Sequence, residues 1–166
     1  MTALACVSGS LAFAATPCSF CEAKILQNQK IYEDDHVIVL YDYKPAIEGH
    51  CLVIPKRHVE HLQDLNSDEI LAVHGAVSKL FEAAQKTYDA TAYLIFQKNG
   101  VEAGQSVPHV HVHFLPRKPN DYSDIGIYAR LFFLKFKSPL TQDQIDIHRN
   151  NLAQHFLENQ DSILAL

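Results

Sequence analysis

The stretch His109-Val110-His111-Val112-His113-Phe114-Leu115 constrains this chain more than any other. Polar and apolar residues alternate in it with period two. As a strand it therefore sends His109, His111 and His113 to one face and Val110, Val112 and Phe114 to the other. Neighbouring histidines on that face lie roughly 6.6–7 Å apart at Cα. Each of the three imidazoles needs hydrogen-bond partners, which a plain apolar core does not supply. Three readings are open on the residues alone. One is a metal site, because histidines two apart on a strand can reach a single ion. Another is a nucleophilic histidine that attacks phosphorus and is oriented by its neighbours. The third is a solvated polar face.

The rest of the chain predicts the frame for this strand. Lys30 to Glu33, a turn at Asp34-Asp35, and His36 to Tyr41 read as a hairpin. His50 to Ile54 reads as a buried strand closed by Pro55, and Tyr93 to Gln97 as a fourth strand. His109 to Leu115 is the fifth. Asn66 through Tyr88 is the strongest helix signal, with Asn66 as cap and Glu69 as its capping-box partner. Ile70, Val73, Val77, Leu80, Phe81 and Ala84 form its apolar stripe. A short helix is expected over Phe20 to Gln27. A last one opens at Thr141, with Gln144 at the third position, and runs to about Glu158. Arg117 to Ser138 reads as loops with an apolar packing segment at Leu131 to Leu134. Consecutive strands around one long helix argue for an α+β fold. Its expected form is a largely antiparallel five-stranded sheet with one long helix packed on it and a C-terminal helix. A doubly wound sheet would need regular strand–helix alternation, which is absent.

At 166 residues the chain suits one domain, expected over residues 17–166. Residues 4–15 are uncharged and rich in small side chains, and contain Ala12-Phe13-Ala14, an A-x-A cleavage pattern. Met1-Thr2 supplies no positive charge ahead of them. Residues 1–16 therefore read either as a signal peptide on an exported (periplasmic) chain or as an N-terminal extension on a cytoplasmic one. No run is long enough for stable membrane insertion. With 14 Lys+Arg against 19 Asp+Glu, the net charge is −5, and there is no basic block. Long nucleic acids are excluded as partners on this ground. A small phosphorylated ligand needs only a few placed donors. Cys18-Ser19-Phe20-Cys21 is a C-x-x-C pair, which suits a disulfide in an oxidising space and metal or redox chemistry in a reducing one.

The block Gly104-Gln105-Ser106-Val107-Pro108-His109-Val110-His111-Val112-His113-Phe114-Leu115-Pro116-Arg117-Lys118 resembles the signature of the histidine-triad nucleotide hydrolases and transferases. The Glu102-Ala103-Gly104-Gln105 lead-in and the Leu-Pro-Arg-Lys exit are most similar to the fragile-histidine-triad branch, which splits dinucleoside polyphosphates. Tyr32-Glu33-Asp34-Asp35, Asp42 followed by Pro45, Gly49-His50, and Leu52 through His58 resemble further family segments. The resemblance runs from about Cys18 to Lys118.

The resemblance implies that His111 is the nucleophile. It would attack an α-phosphate to give a nucleotidyl-histidine, which water then hydrolyses. Imidazole, with a pKa of about 6.5, keeps one nitrogen unprotonated near neutrality. His113 and His50 would contact the phosphate and Ser106 the leaving group. Gln105 and the backbone N–H groups of the Gly104 to Val107 loop would supply further donors. Asp42 would hold the ribose hydroxyls, and Phe20, Leu40 and Tyr43 would surround the base. Where family members carry Asn or Gln, this chain has Lys98. Either Lys98 meets phosphate as a point charge, or Gln97 or Asn99 takes that role. A nucleoside phosphoramidate is the alternative substrate bond, and a nucleotide-binding module with weak catalysis is the alternative from another class. The resemblance also implies a structural zinc on Cys18, Cys21, His58 and His109, a closed Cys2His2 set. Last, it implies a homodimer with the long helix and the fourth strand across the two-fold.

Overall fold

The computed structural model describes residues 18–163, so the expected boundary at residues 16–17 and the signal-peptide reading lie outside the described residues. A 3₁₀ turn at Ser19–Cys21 leads into helix α1 (Ala23–Gln29). Strands β1 (Lys30–Glu33), β2 (Val37–Tyr41) and β3 (Cys51–Pro55) follow, then helix α2 (Ser67–Tyr88). Strands β4 (Ala92–Gln97) and β5 (Val112–Arg117) precede helices α3 (Asp124–Phe133) and α4 (Gln142–Ile163). The five strands form one sheet in the order β1-β2-β3-β5-β4, with every pairing antiparallel. This is the α+β architecture expected from the sequence. No described helix is long and apolar enough to cross a membrane.

Strand alternation divides the burial between two faces. Val37, Val39, Tyr41, Cys51, Val53, Val112 and Phe114 pack against Ala76, Val77, Leu80, Ala83 and Ala84 of α2, with Leu152 and Phe156 of α4. The opposite face carries Ile38, Leu40, Leu52 and Ile54, capped by Phe20 and Leu26 from the N-terminal segment. His113 pairs with Leu52 on one side and Phe96 on the other, so the histidine face is this second, thinly covered one.

Several expectations are corrected in detail. The β5 ladder begins at Val112 rather than His109. Ahead of it, the Val110 N–H donates to the Val59 carbonyl at 2.7 Å, and Val110 packs with Val59 and Leu65 outside the main core. The first helical segment is broken in two because the Cys21 N–H turns back to the Cys18 carbonyl at 2.9 Å. Ile70, expected in the α2 stripe, is half exposed, and the buried stripe is built instead around Ala76, Leu80 and Ala83. Residues 124–133, read as loop, form α3. Ser123 caps it, accepting from the Gly126 N–H at 3.2 Å, and Ile127, Leu131 and Leu134 face the sheet at helical spacing. Phe132 and Phe133, expected to pack, are exposed. The capping box at Thr141 and Gln144 is present, and α4 runs on to Ile163.

The start of α2 also fixes the loop after β3. Glu69 completes the capping box, its Oε2 accepting from the Asn66 N–H at 2.9 Å while its own N–H donates to Asn66 Oδ1 at 2.9 Å. Arg57 grips the same carboxylate with two bonds of 2.8 Å, from Nε to Oε1 and from Nη2 to Oε2. That fork holds the segment carrying His58 against the helix end. The Arg57 bond holds the buried Glu69 carboxyl below its ordinary pKa. A carboxyl depressed in the folded state stabilises the fold above its unfolded pKa of about 4.3, and this contribution is lost as pH falls through the lower folded value. Urea titrations at pH 7, 5 and 3 should show Glu69→Gln less stable than the parent at pH 7, with the gap closing toward pH 3. Asn66→Ala should cost about 1 kcal/mol at pH 7.

Candidate active site and metal cluster

The site is built where β5, β3 and β4 meet the N-terminal turn. The ring of His111 is buried, and its Nδ1 lies 2.7 Å from the His109 carbonyl oxygen. A carbonyl only accepts, so Nδ1 carries the hydrogen and Nε2 keeps its lone pair. Phe20 stands edge-on to this ring at 5.3 Å. Burial pushes the His111 pKa below its ordinary value, against the pull of the His109 carbonyl and of Asp42.

A second chain of bonds orients His113. The Ala46 N–H donates to His50 Nδ1 at 3.1 Å, so the hydrogen of the neutral His50 ring sits on Nε2. His50 Nε2 is 3.0 Å from His113 Nδ1, which must then accept, leaving the His113 hydrogen on Nε2. Burial lowers the His50 pKa, and burial with the charges of His50, His111 and Lys98 takes that of His113 down to about 2. Both are therefore neutral donors at physiological pH. Phe96 lies flat on His113, with ring centroids 4.3 Å apart. His111 and His113 meet edge to face, with ring centroids 5.1 Å apart.

Asp42 is buried beside this pair, with Oδ1 accepting from the Lys44 N–H at 2.8 Å and Oδ2 3.6 Å from His50 Nε2. Leu40 is fully buried in the cluster that Phe20 covers, while Tyr43 is exposed at the surface. Ser106 lies exposed on the loop before the triad. Of the four backbone N–H groups expected to act as donors, two serve the loop itself. Gly104 donates to the Val101 carbonyl at 2.8 Å and Gln105 to the Gly100 carbonyl at 3.1 Å. Those of Ser106 and Val107 have no partner among the described residues. The Gln105 side chain braces the loop, accepting from the Gly100 N–H at 2.7 Å and donating to the Glu60 carbonyl at 2.9 Å. Asn99 is likewise engaged, accepting from the Leu62 N–H at 2.8 Å and donating to Gln63 Oε1 at 3.0 Å. Neither amide is turned to the histidine pair. Lys98 lies close enough for both His111 and His113 to feel its charge.

The other side of the triad meets the cysteines. One ligand atom from each of Cys18, Cys21, His58 and His109 falls within 4.8 Å of all the others. Cys18 Sγ is 3.4 Å and Cys21 Sγ 3.7 Å from His109 Nδ1, and Cys21 Sγ is 3.5 Å from His58 Nδ1. Tetrahedral zinc with ordinary Zn–S and Zn–N bonds separates such atoms by about 3.6 Å, so the donor set fits. The His109 ring is oriented for it, since Nε2 donates to the Pro55 carbonyl at 2.9 Å and Nδ1 is left toward the sulfurs. His58 Nε2 lies 3.7 Å from Glu60 Oε1. Burial, together with the adjoining Cys18 thiol, raises the Cys21 pKa, so a thiolate there needs a cation. Cys18 and Cys21 are free thiols, not a disulfide. The group Asp42, His50 and His113 also brings donor atoms within 4.8 Å, but the His50 Nε2 hydrogen already occupies its centre.

Sequence reasoning missed Phe96, the Ala46 N–H and the Pro55 carbonyl. Phe96 was legible in principle, because a fourth strand antiparallel to the triad must set one of its residues beside His113. The two backbone groups have no side-chain signature.

The model of the HIT domain matches residues 24–120, so the paired cysteines lie ahead of the matched segment. The asymmetrical bis(5'-nucleosyl)-tetraphosphatase of Schizosaccharomyces pombe is 33% identical over 134 residues, 81% of this chain and 66% of that protein. A nitrilase and fragile histidine triad fusion protein of Caenorhabditis elegans is 37% identical over 112 residues, 68% of this chain and only 26% of that protein. The chain thus spans less than two thirds of either relative's length. The crystal structure of a zinc-bound histidine triad family protein from Mycobacterium smegmatis superposes with a TM-score of 0.66 at 25% identity, covering 87% of this chain and 96% of that one. With the motif, the sheet and the family match in agreement, this chain belongs to the HIT domain family.

Proposed function

We propose that this protein is a nucleotide hydrolase that cleaves at the α-phosphate of a dinucleoside polyphosphate or related adenylyl compound. The observation that carries the reading is the tautomer of His111, whose Nδ1–H is taken up by the His109 carbonyl at 2.7 Å. In the proposed first step the Nε2 lone pair forms an N–P bond and the P–O bond to the leaving polyphosphate breaks. Water then attacks the same phosphorus and gives up one proton to solvent, the N–P bond breaks, Nε2 recovers its electron pair and a nucleoside monophosphate leaves. His113 Nε2–H, the Ser106 hydroxyl and the free N–H groups of Ser106 and Val107 stabilise the charged phosphoryl oxygens. The tetraphosphatase named above supports this bond class. Asp42 is the acceptor for ribose hydroxyls in this reading, and Phe20, with Leu40 buried behind it, and the exposed Tyr43 are the apolar wall for a base. A nucleoside phosphoramidate would use the same nucleophile on a P–N bond.

The cysteine cluster is read as a structural zinc site, with Cys18, Cys21, His58 and His109 as ligands. Zinc there supplies a crosslink and no reacting group, because all four positions are filled by protein. A second copy would cover the open edge of the sheet at β4, where Tyr93 and Ile95 are exposed, along with Leu71 of α2.

Two experiments test these readings. Reactions with radiolabelled diadenosine tetraphosphate, quenched in alkaline denaturant in which an N–P bond survives, should trap label on the protein, and His111→Ala should abolish both the adduct and turnover; full activity in that variant contradicts the reading. Purified protein should contain about one zinc per chain by elemental analysis, and Cys18→Ser should lose the metal and melt well below the parent. Metal-free protein with an unchanged melting temperature in that variant would remove the zinc.

A further inference from the structure

A full positive charge held beside the triad would act directly on a bound phosphate. Lys98 supplies one. β4 pairs with β5 so that Phe96 stands opposite His113 and Gln97 opposite Val112. The ladder ends there, so Lys98 is the residue that follows β4 and His111 the one that precedes β5. Opposed residues of an antiparallel pair share a face. The flat contact of Phe96 on His113 identifies that face as the histidine one. Lys98, one residue past the end of β4, is near enough for its charge to act on both His111 and His113.

The amine then reaches over the bend that enters the triad. A methyl group built on Gly104 would lie 3.7 Å from Lys98 Nζ, at a backbone φ of +81° that favours glycine. Lys98 Nζ has no hydrogen-bond or ion-pair partner among the described residues, and its side chain is exposed. Lys137, the other lysine whose charge reaches this cluster through His50, donates instead to the Pro45 carbonyl. Asp42 accepts from the Lys44 N–H at 2.8 Å and forms no ion pair with Lys98 among the described residues.

We infer that Lys98 is a specificity-determining residue that favours substrates whose leaving group is a chain of phosphates over those whose leaving group is a neutral amine. The inference rests on the nucleotide-hydrolase reading above and adds the substrate class. An ammonium is a point charge without the planar fork that selects one geometry, so it rewards the leaving group's negative charge and tolerates different chain lengths. A phosphoramidate's amine has no such charge and gains nothing from it.

The test compares kcat/KM for diadenosine tetraphosphate and for adenosine 5'-phosphoramidate in the parent, Lys98→Gln and Lys98→Arg. The glutamine variant should lower the tetraphosphate-to-phosphoramidate ratio by about tenfold, the size of one charge-assisted hydrogen bond, and arginine should restore most of it. The ratio in the parent should also fall as salt is raised, and that salt dependence should flatten in Lys98→Gln. Equal melting temperatures in all three proteins exclude a folding effect. A ratio unmoved by Lys98→Gln, while the parent turns over both substrates and forms the His111 adduct, overturns the role of Lys98 and leaves the hydrolase reading intact. No turnover and no adduct in the parent overturns both.

Discussion

The bond from His111 Nδ1–H to the His109 carbonyl decides what the rest of the site can do. Reverse that tautomer and the ring would aim a hydrogen at the phosphate instead of a lone pair. His109 is itself held from two further directions, by its ring nitrogen at the Pro55 carbonyl and by its other nitrogen at the paired cysteines. One residue thus links the N-terminal turn, the end of β3 and the orientation of the neighbouring imidazole.

The opposite arrangement holds at His113. A backbone N–H at Ala46 fixes His50, and His50 fixes His113, so a hydrogen is delivered to the nitrogen that faces outward. Alternating rings therefore present an acceptor and a donor, though all are the same residue type. Burial holds the pKa of both His111 and His113 below the ordinary imidazole value.

Much of this was legible in the residues. Period two at His109 to Phe114 identified the face, and Asn66 with Glu69 marked the start of α2 to the residue. The zinc-type grouping of Cys18, Cys21, His58 and His109 followed from the resemblance, and the fold brings those four atoms together. Other parts were hidden because they depend on backbone groups and on long-range register. Gln105 and Asn99 look like ligand amides in the sequence, yet the fold uses both as braces, Gln105 between Gly100 and Glu60 and Asn99 against Leu62 and Gln63. The helix at residues 124–133 was obscured by Gly126 and by Phe132 and Phe133, which blur a stripe that Ile127, Leu131 and Leu134 alone define.

The most direct test of the account is the ring-nitrogen spectrum of ¹⁵N-histidine-labelled protein at neutral pH, assigned with His111→Ala and His113→Ala. The account predicts opposite tautomers two residues apart: His111 protonated at Nδ1 with a bare Nε2, and His113 protonated at Nε2 with a bare Nδ1. A hydrogen on Nε2 of His111, or a doubly protonated His111 ring, would contradict it.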